Sequence, residues 1–127
     1  MYIIDKNVEN EIIIKKSRFI TKLIYIDDVN NVNDIINNLK KEYKKCTHIC
    51  YAYIIDGKEK AVDDGEPSGT AGRPILNVLQ KKKVTNILAV VIRYFGGIKL
   101  GAGGLVRSYT NSISEAFKLV NIKEKTK

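Results

Sequence analysis

The stretch Arg93-Tyr94-Phe95-Gly96-Gly97-Ile98-Lys99-Leu100-Gly101-Ala102-Gly103-Gly104-Leu105-Val106-Arg107 decides how this chain folds. Upstream of it, Ile87-Leu88-Ala89-Val90-Val91-Ile92 is short, apolar and β-branched, which predicts a buried strand reaching from Val84 to Phe95. Downstream, Leu105, Val106, Tyr109, Ile113, Ala116, Phe117 and Val120 recur at helical spacing and predict a helix over 103–120. Five glycines, Gly96, Gly97, Gly101, Gly103 and Gly104, crowd nine positions between strand and helix. Glycine costs chain entropy, so such density calls for tight turns or close backbone approach. Free amides at the start of the helix, flanked by Arg93, Lys99 and Arg107, make an anion site. The plainer alternative is a tight turn in which nothing larger than glycine fits.

Two phosphate motifs fail in this stretch. Gly96 and Gly101 have P-loop spacing, but Ala102 and Gly103 stand where Lys and Ser/Thr are required. Val106 takes the place of the third glycine of a dinucleotide fingerprint. No nucleotide cofactor is expected, and no other cofactor is implied.

Working outward, Cys46 to Ile55 reads as a strand with His48, Cys50, Ala52 and Ile54 on one face. Asp56-Gly57 marks a turn, and an acidic loop, Asp63-Asp64-Gly65-Glu66-Pro67, follows it. Pro74, Ile75, Val78 and Leu79 predict a short helix ending near Lys83, capped by Ser68 or Thr70. Towards the N-terminus, Glu11–Lys15 and Arg18–Ile26 read as antiparallel strands. Asp27 and Asp28 then offer N-cap chemistry to an amphipathic helix carrying Val32, Ile35, Ile36, Leu39 and Tyr43. Residues 121–127 are polar and are expected to fray.

The 127 residues suit one domain, and their balance of 22 basic to 14 acidic residues gives a net charge of +8. That excess favours polyanionic partners, although lysines at helix ends also serve solubility and dipole complementarity. No stretch resembles a membrane span or a secretory signal, so a cytoplasmic protein without membrane contact is expected.

Three constellations could carry chemistry. Cys46, His48 and Cys50 could share a metal, but lack a fourth ligand and finger spacing, so no metal site is expected. Asp63, Asp64 and Glu66 could take Mg²⁺, or form a solvated turn neutralised by Arg73 or Lys99. His48 with Asp63, Asp64 or Ser68 could form the acid–base or nucleophile pair of a hydrolase, though no G-x-S-x-G elbow surrounds Ser68.

Read together, His48-Ile49-Cys50-Tyr51-Ala52-Tyr53, the run from Asp63 to Gly72 and the run from Arg93 to Arg107 closely resemble the IMPACT/YigZ family. The Lys16-Ser17-Arg18-Phe19 entry near the N-terminus fits the same pattern. The resemblance implies an α+β domain like the second domain of ribosomal protein S5. Such a domain has a four-stranded, mainly antiparallel sheet with helices packed mainly on one face, in the order ββαβαβα. It also implies a role around translation, since the eukaryotic relatives restrain a starvation-activated kinase of an initiation factor by competing for its ribosome-bound activator. Residues 1–127 read as a single Impact-type domain, without the second domain that bacterial relatives carry. Val62 departs from the serine usual before the Asp-Asp pair, and Cys46 replaces a small residue.

The expectation is therefore a binding module rather than an enzyme, contacting RNA, the ribosome or a translation-regulatory protein. Its surface would join the Asp63–Gly72 loop, through Glu66, Ser68, Thr70 and Arg73, to Arg93, Gly96, Gly97, Lys99, Gly101, Gly103, Gly104 and Arg107. A hydrolase or phosphate-handling enzyme using His48 with Asp63, Asp64 or Ser68 is the alternative.

Overall fold

The computed structural model describes residues 1–126. Along the chain it runs β1 (Tyr2–Ile4), β2 (Val8–Ile14), β3 (Ser17–Tyr25), a 3-10 turn (Val29–Asn31), α1 (Val32–Glu42), β4 (His48–Ile55), β5 (Lys58–Val62), α2 (Gly72–Lys82), β6 (Ile87–Tyr94), α3 (Gly101–Phe117) and β7 (Ile122–Glu124). Five strands form one antiparallel sheet in the order β2-β3-β6-β4-β5, and β1 pairs with β7 in a second sheet of two. The α+β class holds, but the four-stranded sheet does not.

Central strand β6 organises the molecule because it is buried from Ile87 to Arg93. A strand without a polar face must be covered on both sides. Ile87, Ala89 and Val91 pack with α2 and α3, whereas Leu88, Val90 and Ile92 pack with Val32, Ile36 and Leu39 of α1. Two helices thus share one face and the third covers the other. Helices mainly on one face therefore holds, with α1 as the exception.

The extra strands escaped the sequence pattern for identifiable reasons. Strand β5 carries Lys58, Glu59 and Lys60 and pairs only with β4, so it needs no apolar alternation. Charged residues are what an edge strand tolerates. The expected fraying near the C-terminus is likewise corrected: Ile122–Glu124 pairs with Tyr2–Ile4, and Asp5 accepts from the Asn121 N–H at 3.0 Å. Lys127 lies outside the described residues.

The α2 cap also differs from expectation. Neither Ser68 nor Thr70 caps the helix, whose N-cap position is Ala71. Asp63 takes that role from a distance, accepting from Ala71 N–H at 3.2 Å and Gly72 N–H at 2.8 Å. Gly72 allows this close docking, since a Cβ there would lie 2.4 Å from the backbone nitrogen of Val62.

Candidate functional site

Antiparallel register brings chemistry to one end of the sheet. His48 lies opposite Arg93, and Arg93 opposite Phe19, so all three share the face covered by α2 and α3. That face is apolar until the sheet ends, where the Asp63–Gly72 loop folds over it and delivers Glu66.

Glu66 is 8% exposed. Its Oε2 accepts from Arg93 Nη1 at 2.7 Å and from the Tyr109 hydroxyl at 2.6 Å. Oε1 lies 3.5 Å from His48 Nε2. Arg93 also donates from Nη2 to Ser17 Oγ at 3.3 Å, while its buried Nε finds no partner among the described residues. Burial pushes the Tyr109 hydroxyl far up from its ordinary value, so it remains a proton donor to Glu66. Burial likewise raises the Cys50 thiol, which sits 2.9 Å from the Asp63 carbonyl oxygen. This thiol is inert as a nucleophile.

His48 Nδ1 lies 2.7 Å from the backbone oxygen of Asp64. A carbonyl only accepts, so Nδ1 carries a proton, and Nε2 is turned towards Glu66. Gly65 lets the ring sit close to the loop, since a Cβ there would lie 3.2 Å from the imidazole.

His48, Glu66 and Arg93 line a cleft of about 390 Å³. Its polar lining is Thr47, His48, Glu66, Arg93 and Lys99, and its apolar lining includes Pro67, Phe95, Leu100 and Leu105. Gly101 and Ala102, at the start of α3, complete it. Among the described residues no side chain caps α3, and no acidic residue stands in its first turn, so its leading N–H groups stand unneutralised at the cleft end of the helix.

Of the residues expected from sequence, His48, Glu66, Arg93, Lys99 and Gly101 therefore meet in one cleft. The remainder separate. Gly104 and Arg107 line a neighbouring groove of about 210 Å³ with Lys15, and Leu100 lines both. Gly103 lies beside Arg107, whose Nη1 would stand 3.3 Å from an added Cβ. Gly96 packs under the β2–β3 turn, where a Cβ would lie 2.1 Å from Lys16 backbone, and its N–H donates to Ser17 Oγ. Gly97 has φ +93° and turns the chain. Arg73 and Ser68 are exposed and line neither cavity, and buried Thr70 donates its hydroxyl to the Pro67 carbonyl.

The two aspartates are tied to backbone. Asp63 accepts from Gly69, Ala71 and Gly72, and Asp64 Oδ2 accepts from Ile49 N–H at 2.7 Å. Burial alone would raise the Asp63 carboxyl, but the N–H donors of Gly69, Gly72 and Ala71 outweigh it and hold the group below the usual carboxylate range. Among the described residues, no group of three His, Cys, Asp or Glu is arranged to hold a metal ion. Both cysteines are free.

The family model for the Impact N-terminal domain matches residues 15–117, a span holding both loops and His48. The chain belongs to the IMPACT family. This IMPACT chain is 49% identical over 120 residues to the IMPACT family member YvyE of Bacillus subtilis (strain 168), covering 92% of its own length and 55% of YvyE. It superposes on a crystal structure described as that of a hypothetical protein with a TM-score of 0.92 at 38% identity, covering 98% of this chain and 63% of that one. A likeness in fold extends to the two-domain translational regulator Yih1, at a TM-score of 0.51 and 21% identity, covering 93% of this chain and 46% of that one. The chain spans little more than half the length of the curated relatives it matches.

Several site residues of the IMPACT chain escaped sequence reasoning. Tyr109 reads as one apolar position on a helix, yet a buried tyrosine hydroxyl needs a partner, and Glu66 is the partner. Ser17 stands in the Lys16–Phe19 motif but gets no role from it, and Thr47 gives no signal at all. Thr47 Oγ1 accepts from Phe95 N–H at 2.9 Å and ties the cleft's rim to the strand before it.

Proposed function

We propose that this IMPACT-family chain is a translation-associated RNA-binding protein whose recognition surface is the cleft between the Asp63–Gly72 and Gly96–Gly104 loops. One observation carries the reading. Lys99 and the uncapped start of α3 stand at the same cleft as His48, with Lys15 and Arg107 just across Leu100. None of Lys15, Lys99 and Arg107 forms an ion pair among the described residues. Unpaired cations beside helix amides suit phosphate groups. Arg93 does not join them, because Glu66 and Ser17 already occupy its guanidinium. The connection to translation is taken from the family resemblance and from Yih1, and a likeness to the second domain of ribosomal protein S5 would favour the same setting. Fold alone does not assign a role.

Fluorescence anisotropy with a single-stranded ribosomal RNA fragment, repeated across salt concentrations, tests this. For each tenfold rise in salt the logarithm of the binding constant should fall by about 0.7 per phosphate contacted, and Lys99→Ala should remove about one contact. Absence of binding at low salt ends the RNA reading. A partner recovered by pull-down after nuclease treatment would point to a translation-regulatory protein instead.

A second reading has its own support. His48, held through Nδ1, turns Nε2 towards Glu66 in a concave site, which suits proton transfer in a hydrolase. The carboxylate at hand is Glu66, since those of Asp63 and Asp64 serve backbone amides. Phosphoester cleavage by the wild type that His48→Gln abolishes would support this reading over simple binding.

A further inference from the structure

We infer that the cleft takes one unstacked nucleotide, with the base inside and its phosphate at the mouth. This deepens the RNA-binding proposal above and rests on it. The cleft's volume, about 390 Å³, falls within the range of small-molecule sites, about 300–1,000 Å³, and exceeds what a lone phosphate requires.

The two ends of the cleft have opposite chemistry. At the floor, Glu66 is a carboxylate with one oxygen saturated by Arg93 and Tyr109 and the other faced, among the described residues, by His48 at 3.5 Å. That second oxygen has lone pairs to spare. It repels an anion and accepts from an amine. Arg93, 5% exposed and lining the same cleft, has no partner for Nε among the described residues, so the buried network is not closed on itself. At the mouth stand Lys99 and the leading amides of α3, which attract an anion. Between them the walls are apolar, and Phe95 is 47% exposed at the rim.

A ligand must therefore carry an anion at one end, a hydrogen-bond donor at the other and a flat apolar body between. A nucleoside monophosphate unit has this layout. Its base can stack on an aromatic ring, and the exocyclic amine of adenine or cytosine is a donor suited to a carboxylate. Guanine carries an amine too, whereas uracil offers only its single ring N3–H.

The test is an NMR titration of the ¹⁵N-labelled 127-residue chain with AMP, CMP, UMP, ribose 5-phosphate and inorganic phosphate. AMP and CMP should shift the amides of Gly101, Ala102 and residues around His48, with at least tenfold tighter binding than ribose 5-phosphate and with UMP, which has one ring N–H donor and no amine, between them. Phe95→Ala, which alters an exposed side chain, should erase that preference while the spectrum stays dispersed. Equal shifts by ribose 5-phosphate and AMP would overturn the inference, as would the absence of any cleft shift with nucleotides while the RNA fragment still binds. Failure of the RNA fragment and all nucleotides alike would remove both this inference and the RNA reading.

Discussion

The two faces of strand β6 are built on the same alternating residues and end very differently. On the α1 side, Leu88, Val90 and Ile92 close against Val32, Ile36 and Leu39, an apolar cluster with tyrosines at its edge. On the α2/α3 side, Ile87, Ala89 and Val91 begin the same way, but the next residue in phase is Arg93. An arginine 5% exposed forces its surroundings to supply a carboxylate, and the loop carrying Glu66 does so. One face needs only shape and volume. The other needs specific partners, which is why it carries the cleft.

The sharpest way to break this comparison is to strip the buried charge of its partner. Glu66→Ala leaves Arg93 buried and uncompensated, and should cost about 3–5 kcal/mol in chemical denaturation. A loss under about 1 kcal/mol, the size of a surface ion pair, would mean that the pair is effectively solvated. Replacing both partners, as Glu66→Gln with Arg93→Met, should recover much of that loss, whereas no such rescue applies on the α1 face.

A smaller effect is expected from Gly96→Ala. The added Cβ would meet Lys16 backbone at 2.1 Å, so the β2–β3 turn or the strand-to-helix loop must move, at about 1–3 kcal/mol. A neutral thermal midpoint would show that the loop next to the cleft yields freely. Its rigidity would then play no part in the site.

Asp63→Ala should cost about 1 kcal/mol near neutral pH, as loss of a helix cap does. The pH dependence has a fixed sign. A carboxyl held below its ordinary value stabilises the fold above the unfolded value, about 3.9, and that contribution disappears as pH falls through the lower folded value. The gap between wild type and Asp63→Ala should accordingly narrow in acid. A gap that widens below about pH 4 would contradict the amide network.

Least of all should Lys99→Ala alter stability, within about 0.5 kcal/mol, because its side chain is exposed and forms no ion pair among the described residues. Its effect belongs to RNA affinity. A large loss of stability would instead make Lys99 a structural residue and weaken the case for the cleft as a recognition site.

Much of this was legible in the chain. The run Ile87–Ile92, the glycine-rich turn and the following helix were readable because buried strands and amphipathic helices impose periodicity on a sequence. The motif blocks around His48, Asp63 and Arg93 also identified the family, which the match over residues 15–117 supports. The Asp56-Gly57 turn was visible, but the strand it opens was not, since Lys58-Glu59-Lys60 looks like solvated loop until β4 is seen beside it.

What the sequence alone determined is the three helices and the strands β2, β3, β4 and β6, because local propensity and side-chain periodicity act within a few residues. Only the tertiary structure decided roles. Glu66, not Asp63 or Asp64, faces His48, and Asp63 caps a helix that begins nine residues later. Arg93, read as a phosphate contact, is spent on Glu66, while Lys15 joins the cationic rim from far along the chain. The physical reason is that a carboxylate's task is set by which donors reach it through space. Those donors come from strands and loops whose register no local pattern encodes.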